Sequence, residues 1–449
     1  MTRPRWQHTL RFGLPVLLAL GASASWWAWD QGYRDNPGYS FAVIRQANDM
    51  HERLLTFDGH ISVPLTLGSA HNPLDGDSQG QFDLPKLQRG GLSAAALTVF
   101  GWPPIWQGEG APHRPSPHFV AQARAQQESS YRIINNMARD FPEQAAIAYS
   151  PDDVRRLQGE GKFAIFISML NAYPLGTSLD QLDFWAARGL RMFGFNYVGN
   201  NAWADSSRPM PFFHDTANAL GGLSTLGQQA VRRLNDLGVI IDVSQMSSQA
   251  LRQVSALSRA PLVASHSGPR ALVDIPRNLD DDEMRLIAAS GGVVMIPTYG
   301  DYLRPISQAS RAQIEQLRQR FELPPLPNQA WALMPGDPAI ATWPEQRFGE
   351  YAKALYAILA EEPKATLNDF GNAIDHAVKT IGIEHVGISS DFNDGGGLEG
   401  FEDVSQIRNV TAELLSRGYS EADIGKLWGG NFLRAWAQVQ HSSKTLSAR

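Results

Sequence analysis

The sequence contains no cysteine, and that absence removes disulfides, thiolate metal ligands, a cysteine nucleophile and a lipid-modified cysteine anchor. It does not name a compartment, because a chain able to bury a large core folds without cross-links. A basic face is missing as well: the 449 residues carry a formal charge of −6, with no Lys/Arg cluster, which argues against nucleic acid as a partner. Phosphate-binding loops are not found. Gly292-Val293-Val294 and Gly395-Gly396-Gly397 lack both the glycine spacing and the Lys-Ser/Thr pair, and read as barrel packing and loop flexibility. Asp391-Phe392-Asn393-Asp394-Gly395 starts like a calcium loop but lacks the later ligand positions and the terminal Glu.

One long apolar run stands at the start. Phe12 to Trp29 carries no charge and follows Arg3, Arg5 and Arg11, the pattern of an export signal that leaves the N-terminus in the cytoplasm and the body outside. Ala22-Ser23-Ala24 offers a cleavage site that would release a soluble periplasmic body, whereas Trp26, Trp27 and Trp29 suit a membrane interface and an uncleaved anchor. The expected organisation is an anchor over residues 1–32 and one body over 33–449, on the periplasmic face of a bacterial inner membrane.

Past residue 40, short β-branched runs alternate with longer amphipathic stretches, the pattern of repeated βα units around a parallel sheet. The runs are Leu54 to Asp58, Ser93 to Phe100, Phe163 to Met169, Met192 to Phe195, Val239 to Val243, Leu262 to Ala264, Gly292 to Ile296 and Val386 to Ser389. Eight such runs predict an α/β fold of the TIM-like (β/α)8 barrel type. Helical spacing is clear at Gly227 to Leu237 and Ser248 to Ser258. Tyr302 to Thr366 reads as an insertion over the barrel mouth with one clear helix, Glu350 to Glu361.

Barrel chemistry sits at the C-terminal ends of strands, and there the chain places His60, Ser62, Asn171, Tyr197, Gln245, His266, Arg277, Asn278 and Asp391. Each alone has a plain reading as a cap or a loop hydrogen bond; so many together point to a site. Their surroundings, Asp58-Gly59-His60-Ile61-Ser62, Asn171-Ala172-Tyr173-Pro174, Trp203-Ala204-Asp205-Ser206, Asp242-Val243-Ser244, Ala264-Ser265-His266-Ser267, Pro276-Arg277-Asn278-Leu279 and Ser390-Asp391-Phe392, resemble the membrane (renal-type) dipeptidases, peptidase family M19, in the same order.

That resemblance implies two zinc ions held by a His-x-Asp pair, a bridging Glu and two more His residues, with an Asp for protons and a His and an Arg for the substrate. His60 and His266 match ligands, but Ser62, Leu170 and Gln245 stand at the other ligand positions, so each metal keeps one of three. No acidic residue lies from Gly161 to Ser178 to replace the bridge. Asp391 keeps the proton-handling position and Arg277 the substrate contact, with Tyr197 in place of the substrate His and Asn278 beside the Arg. The expectation is therefore no dinuclear zinc cofactor. The cleft instead binds a peptide-like ligand through His60, Tyr197, His266, Arg277 and Asn278, with Asp391 the remaining acid or base. The degenerate pattern further resembles the dipeptidase-related branch associated with maturation of the peptide siderophore pyoverdine, which implies a peptidyl precursor or a periplasmic maturation enzyme as partner. The competing expectation is an amidohydrolase working with one metal on His60, His266 and Asp391, or with Asp391 as a metal-free base.

Overall fold

The structure, a computed structural model, describes residues 38–447 apart from 77, 103–115, 210–214, 327–337 and 341–342. The expected signal or anchor over residues 1–32 lies outside the described residues, and among those described no helix is long and apolar enough to cross a membrane.

All strands are parallel. They are β1 (Phe57–Ser62), β2 (Ala94–Phe100), β3 (Ala145–Ile147), β4 (Phe163–Leu170), β5 (Met192–Gly194), β6 (Ile240–Asp242), β7 (Leu262–Ala264), β8 (Val293–Ile296) and β9 (Val386–Ile388). The order β1-β2-β4-β5-β6-β7-β8-β9 runs around the sheet. The ring is nearly closed where Ile61 bridges Phe392 and the Asp391 amide donates to His60 O at 3.0 Å. All eight sequence-predicted runs are strands of this TIM-like barrel. The extra strand β3 pairs with the first half of β4, ahead of β5 on the same side; three residues, Ala145-Ala146-Ile147, are too few to show a period.

Alternation along the strands layers the barrel interior. On β4 Phe166, Ser168 and Leu170 face inward, while Ile165, Ile167 and Met169 pack in the cluster that holds the outer helices. Phe166 forms the floor with Phe57 and Phe432, at 5.7 and 5.4 Å between ring centroids, and with Trp436 at 4.7 Å; Phe432 and Trp436 come from the last helix, Asn431–Ser447. Above that floor Thr98 of β2 and Ser168 of β4 share a hydrogen bond of 3.0 Å, the first polar layer.

Strand β1 differs from the sequence expectation. It starts and ends later than Leu54 to Asp58, so His60 and Ser62 lie within the strand. A bulge shifts the register between Asp58 and Ile61. One extra residue reverses the in–out alternation, which lets Phe57 join the floor while His60, three residues on, also points inward to Thr98.

Among its described residues the insertion after β8 holds two long helices rather than one: Gln308–Arg320 and Glu345–Ala360, packed around Ile314, Leu317, Leu323, Tyr351 and Leu355. The first helix was missed because Gln and Arg fill most of its turns. Its preceding turn, Gly300–Leu303, brings Tyr302 into the barrel mouth.

Candidate functional site

Three of the predicted residues lie just beyond strand ends with left-handed backbones: Asn171 at φ 77°, Gln245 at 69° and Asp391 at 59°. Such conformations cost a non-glycine residue about 1 kcal/mol or more and persist where surrounding bonds over-determine them. Asp391 is held by the β1–β9 bond and by the following loop, where the Gly396 amide donates to Asp391 O at 2.9 Å. A side chain on Gly396 would stand 2.0 Å from Ser390 O, and one on Gly395 2.3 Å from the Tyr299 ring. The glycine run read from sequence as flexible is thus required by close packing.

His60 and His266 stack face to face, 4.0 Å between centroids, and both are 1% exposed. Around His60, Thr98 Oγ1 is 3.2 Å from Nδ1 and Ser62 Oγ 3.4 Å from Nε2. Asp391 Oδ1 lies 3.9 Å from the same Nε2 and has no hydrogen-bond partner. Burial, with Arg277 adding repulsion, lowers the His60 pKa to about 3, so the ring is neutral.

The surroundings of His266 fix its tautomer. Ser265 Oγ donates to Asp242 Oδ2 at 2.5 Å and so presents a lone pair to His266 Nδ1, 2.7 Å away. The proton therefore sits on Nδ1 and Nε2 carries the lone pair. Gln245 Nε2 points at that lone pair from 3.1 Å. Arg208 donates through Nη2 to Gln245 Oε1, which settles the amide: a guanidinium has no acceptor, so Oε1 faces Arg208 and the N–H faces His266. Arg208, Gln245, His266, Ser265 and Asp242 form one directed chain of hydrogen bonds.

Leu170 closes β4 inside the barrel, 1% exposed, in a small apolar cluster with Tyr197 and Phe100. Tyr197 donates to Asp394 Oδ1 at 3.4 Å and meets the Trp102 ring edge-on. Arg277, also 1% exposed, donates to Ser267 Oγ at 2.9 Å and His266 O at 2.6 Å, lies over the Tyr302 ring at 4.8 Å, and keeps Nε without a partner. The Asn278 amide donates to Val273 O at 3.0 Å and Tyr302 O at 2.9 Å, so it props the loop that carries Tyr302. The Asp394 amide donates to Asp391 O at 3.3 Å; burial first, then the neighbouring Asp394 charge, raises Asp391 well above the usual carboxylate range, and burial raises Asp394 to about 6. Arg277 and Arg208 oppose both shifts.

The structure thus brings His60, Ser62, Leu170, Tyr197, Gln245, His266, Arg277 and Asp391 into one mouth. Sequence reading missed Arg208, Thr98, Ser168, Tyr299 and Tyr302, and weighed Asp394 only as part of a calcium loop. Arg208 follows Trp203-Ala204-Asp205-Ser206 by two residues, which is the available signal; Tyr299 and Tyr302 sit past β8 with no pattern to mark them.

The sequence profile of the membrane dipeptidases, peptidase family M19, matches residues 44–449. The chain belongs to that family. Among solved structures it is similar to the probable dipeptidase PvdM from Pseudomonas aeruginosa, at 65% identity and TM-score 0.86, over 90% of this chain and all of that one. Among characterised proteins it is similar to the dipeptidase aclJ of Aspergillus oryzae, 27% identical over 82% of this chain and 72% of that one. A metallopeptidase of Rhodobacter sphaeroides liganded with a phosphinate mimic of L-Ala-D-Ala, 21% identical over 86% of this chain and 99% of that one, has TM-score 0.63 and shares the fold.

Against the dinuclear zinc site that its family implies, the donor set of this M19 chain does not fit. The bridging position is apolar, Ser62 and Gln245 are neutral, and the lone pair of His266 is taken by an amide N–H. One smaller group remains: His60, His266 and Asp391 offer ligand atoms that all lie within 4.8 Å of one another.

Proposed function

We propose that this M19 chain is a membrane-tethered periplasmic protein that binds a peptide-like ligand in the barrel mouth, without two-zinc dipeptide hydrolysis, and assists maturation of a peptidyl siderophore precursor of the pyoverdine type. The observation that carries the reading is the Gln245 amide on His266 Nε2, held from behind by Arg208. In this reading Arg277 and Tyr302 take a ligand carboxylate or amide, Tyr197 and Trp102 offer aromatic faces, and Asp391, with its raised pKa, exchanges a proton with the ligand. The pathway assignment is supported by the 65% identity to probable dipeptidase PvdM and by the resemblance to the pyoverdine-maturation branch; the tether and compartment are supported by Arg3, Arg5, Arg11 and the run to Trp29.

The test is equilibrium binding of the purified peptidyl precursor to the soluble body, once with added zinc and once with a chelator, with the precursor analysed by mass after each. Binding with intact peptide bonds is the expected result. Chelator-sensitive cleavage of a peptide bond would instead establish the second reading, a single-metal amidohydrolase on His60, His266 and Asp391, which their 4.8 Å grouping favours.

A further inference from the structure

We infer that Arg208 is the residue that keeps this site free of divalent metal, a fixed side-chain cation in place of the charge that a metal would supply. The inference deepens the metal-free reading above and rests on it. Arg208 is tied down along its length. Its amide donates to Ser206 Oγ at 3.1 Å and its carbonyl accepts from the Gly199 amide at 2.7 Å, while Ser206 itself donates to Tyr197 O at 2.6 Å. The side chain then passes over the Tyr197 ring, 5.3 Å from the centroid, and ends on Gln245 Oε1. Its charge is felt by the groups of the mouth on every side: His266 and Arg277 behind, Asp391 and Asp394 from the last strand's loop, Tyr299 and Tyr302 from the insertion.

Two consequences follow from elementary electrostatics. A guanidinium cannot be deprotonated in a protein, so its repulsion of a dication is permanent, and its half-buried position in the mouth leaves it less screened than a surface charge. Its donor also orients Gln245 so that the amide presents N–H, and not oxygen, to His266. Restoring an imidazole at position 245 alone therefore leaves a cation beside the ligand set; the charge at position 208, not only the missing ligands, decides the outcome.

The experiment is zinc titration by calorimetry of wild type, Gln245→His, Gln245→His with Arg208→Lys, and Gln245→His with Arg208→Met. Gln245→His with Arg208→Gln provides a second uncharged form, and each variant's fold is checked by circular dichroism and thermal midpoint. The expected result is weak zinc binding for the first three and binding at least about a hundredfold tighter, near one zinc per chain, when the charge is removed. Equal affinity in folded Gln245→His with and without Arg208 overturns the inference, as does weak binding in both folded uncharged forms. Stoichiometric zinc on wild type would overturn the metal-free reading itself, whereas a metal-free wild type with no gain in the uncharged forms would leave that reading standing and remove only the role of Arg208.

Discussion

Gln245 has one amide and two demanding neighbours, a lone pair on His266 and a half-buried guanidinium on Arg208, and both ends are satisfied. Gln245→Ala leaves both without this partner, and an unmet buried polar group costs about 1–3 kcal/mol. Urea denaturation should show that loss, and an unchanged midpoint would mean the chain of bonds is slack. The position was legible in sequence as a lost ligand, because the family pattern surrounds it; its new partner was not, since Arg208 lies 37 residues away in the chain and nothing local joins the two. Away from the site, His51 is 1% exposed, pairs with Thr411 at 2.9 Å, and burial, reinforced by Arg408, lowers its pKa to about 3. The folded-state value lies below the unfolded one, so its contribution to stability is present above about pH 6.5 and is lost as pH falls toward 3, at up to about 1.4 kcal/mol per pH unit. His51→Asn removes that slope: wild type should lose stability relative to the variant between pH 7 and pH 4, and parallel profiles would contradict the assignment.

Strand β4 shows how one element divides its labour by alternation. Its inward residues descend from Leu170 in the mouth, through Ser168 in the polar layer, to Phe166 on the floor. Phe166→Ala opens a void between Phe57, Phe432 and Trp436, and should cost about 3–5 kcal/mol in chemical denaturation, with the ligand site left in place; a loss below 1 kcal/mol would show that the floor collapses freely. Buried parallel strands read as continuous apolar runs, which is why this strand and the other runs were visible from sequence. The bulge in β1 was not read: its one local mark is Gly59 within the strand, and pairing with β2 is what shows that Phe57 and His60 share the interior. The insertion was read as a segment with one helix because the apolar residues of Gln308–Arg320 are few, and its small core is completed by residues distant in sequence, Ile340 before the second helix and Tyr351 and Leu355 on it.

Across the whole molecule, fold and family were legible because a parallel barrel repeats one pattern, and because its strand-end motifs recur in order. The departures from the family's ligand pattern at Ser62, Leu170 and Gln245 were readable as residue types and stand as an expectation. What surrounds them was not: the directed chain from Arg208 to Asp242, the tyrosines of the insertion and the Asp391–Asp394 pair arise from tertiary contact. Those features describe a substitution: a bonded network and an arginine side chain occupy the mouth of an M19 barrel in which Ser62, Leu170 and Gln245 stand where the family resemblance implies metal ligands. The most direct measurement is the metal content of the purified soluble body, by elemental mass spectrometry after incubation with zinc and buffer exchange. A barrel mouth closed to metal should retain less than about 0.2 zinc per chain; close to one or two zinc ions per chain, the loading of a mononuclear or dinuclear hydrolase, would refute the metal-free reading.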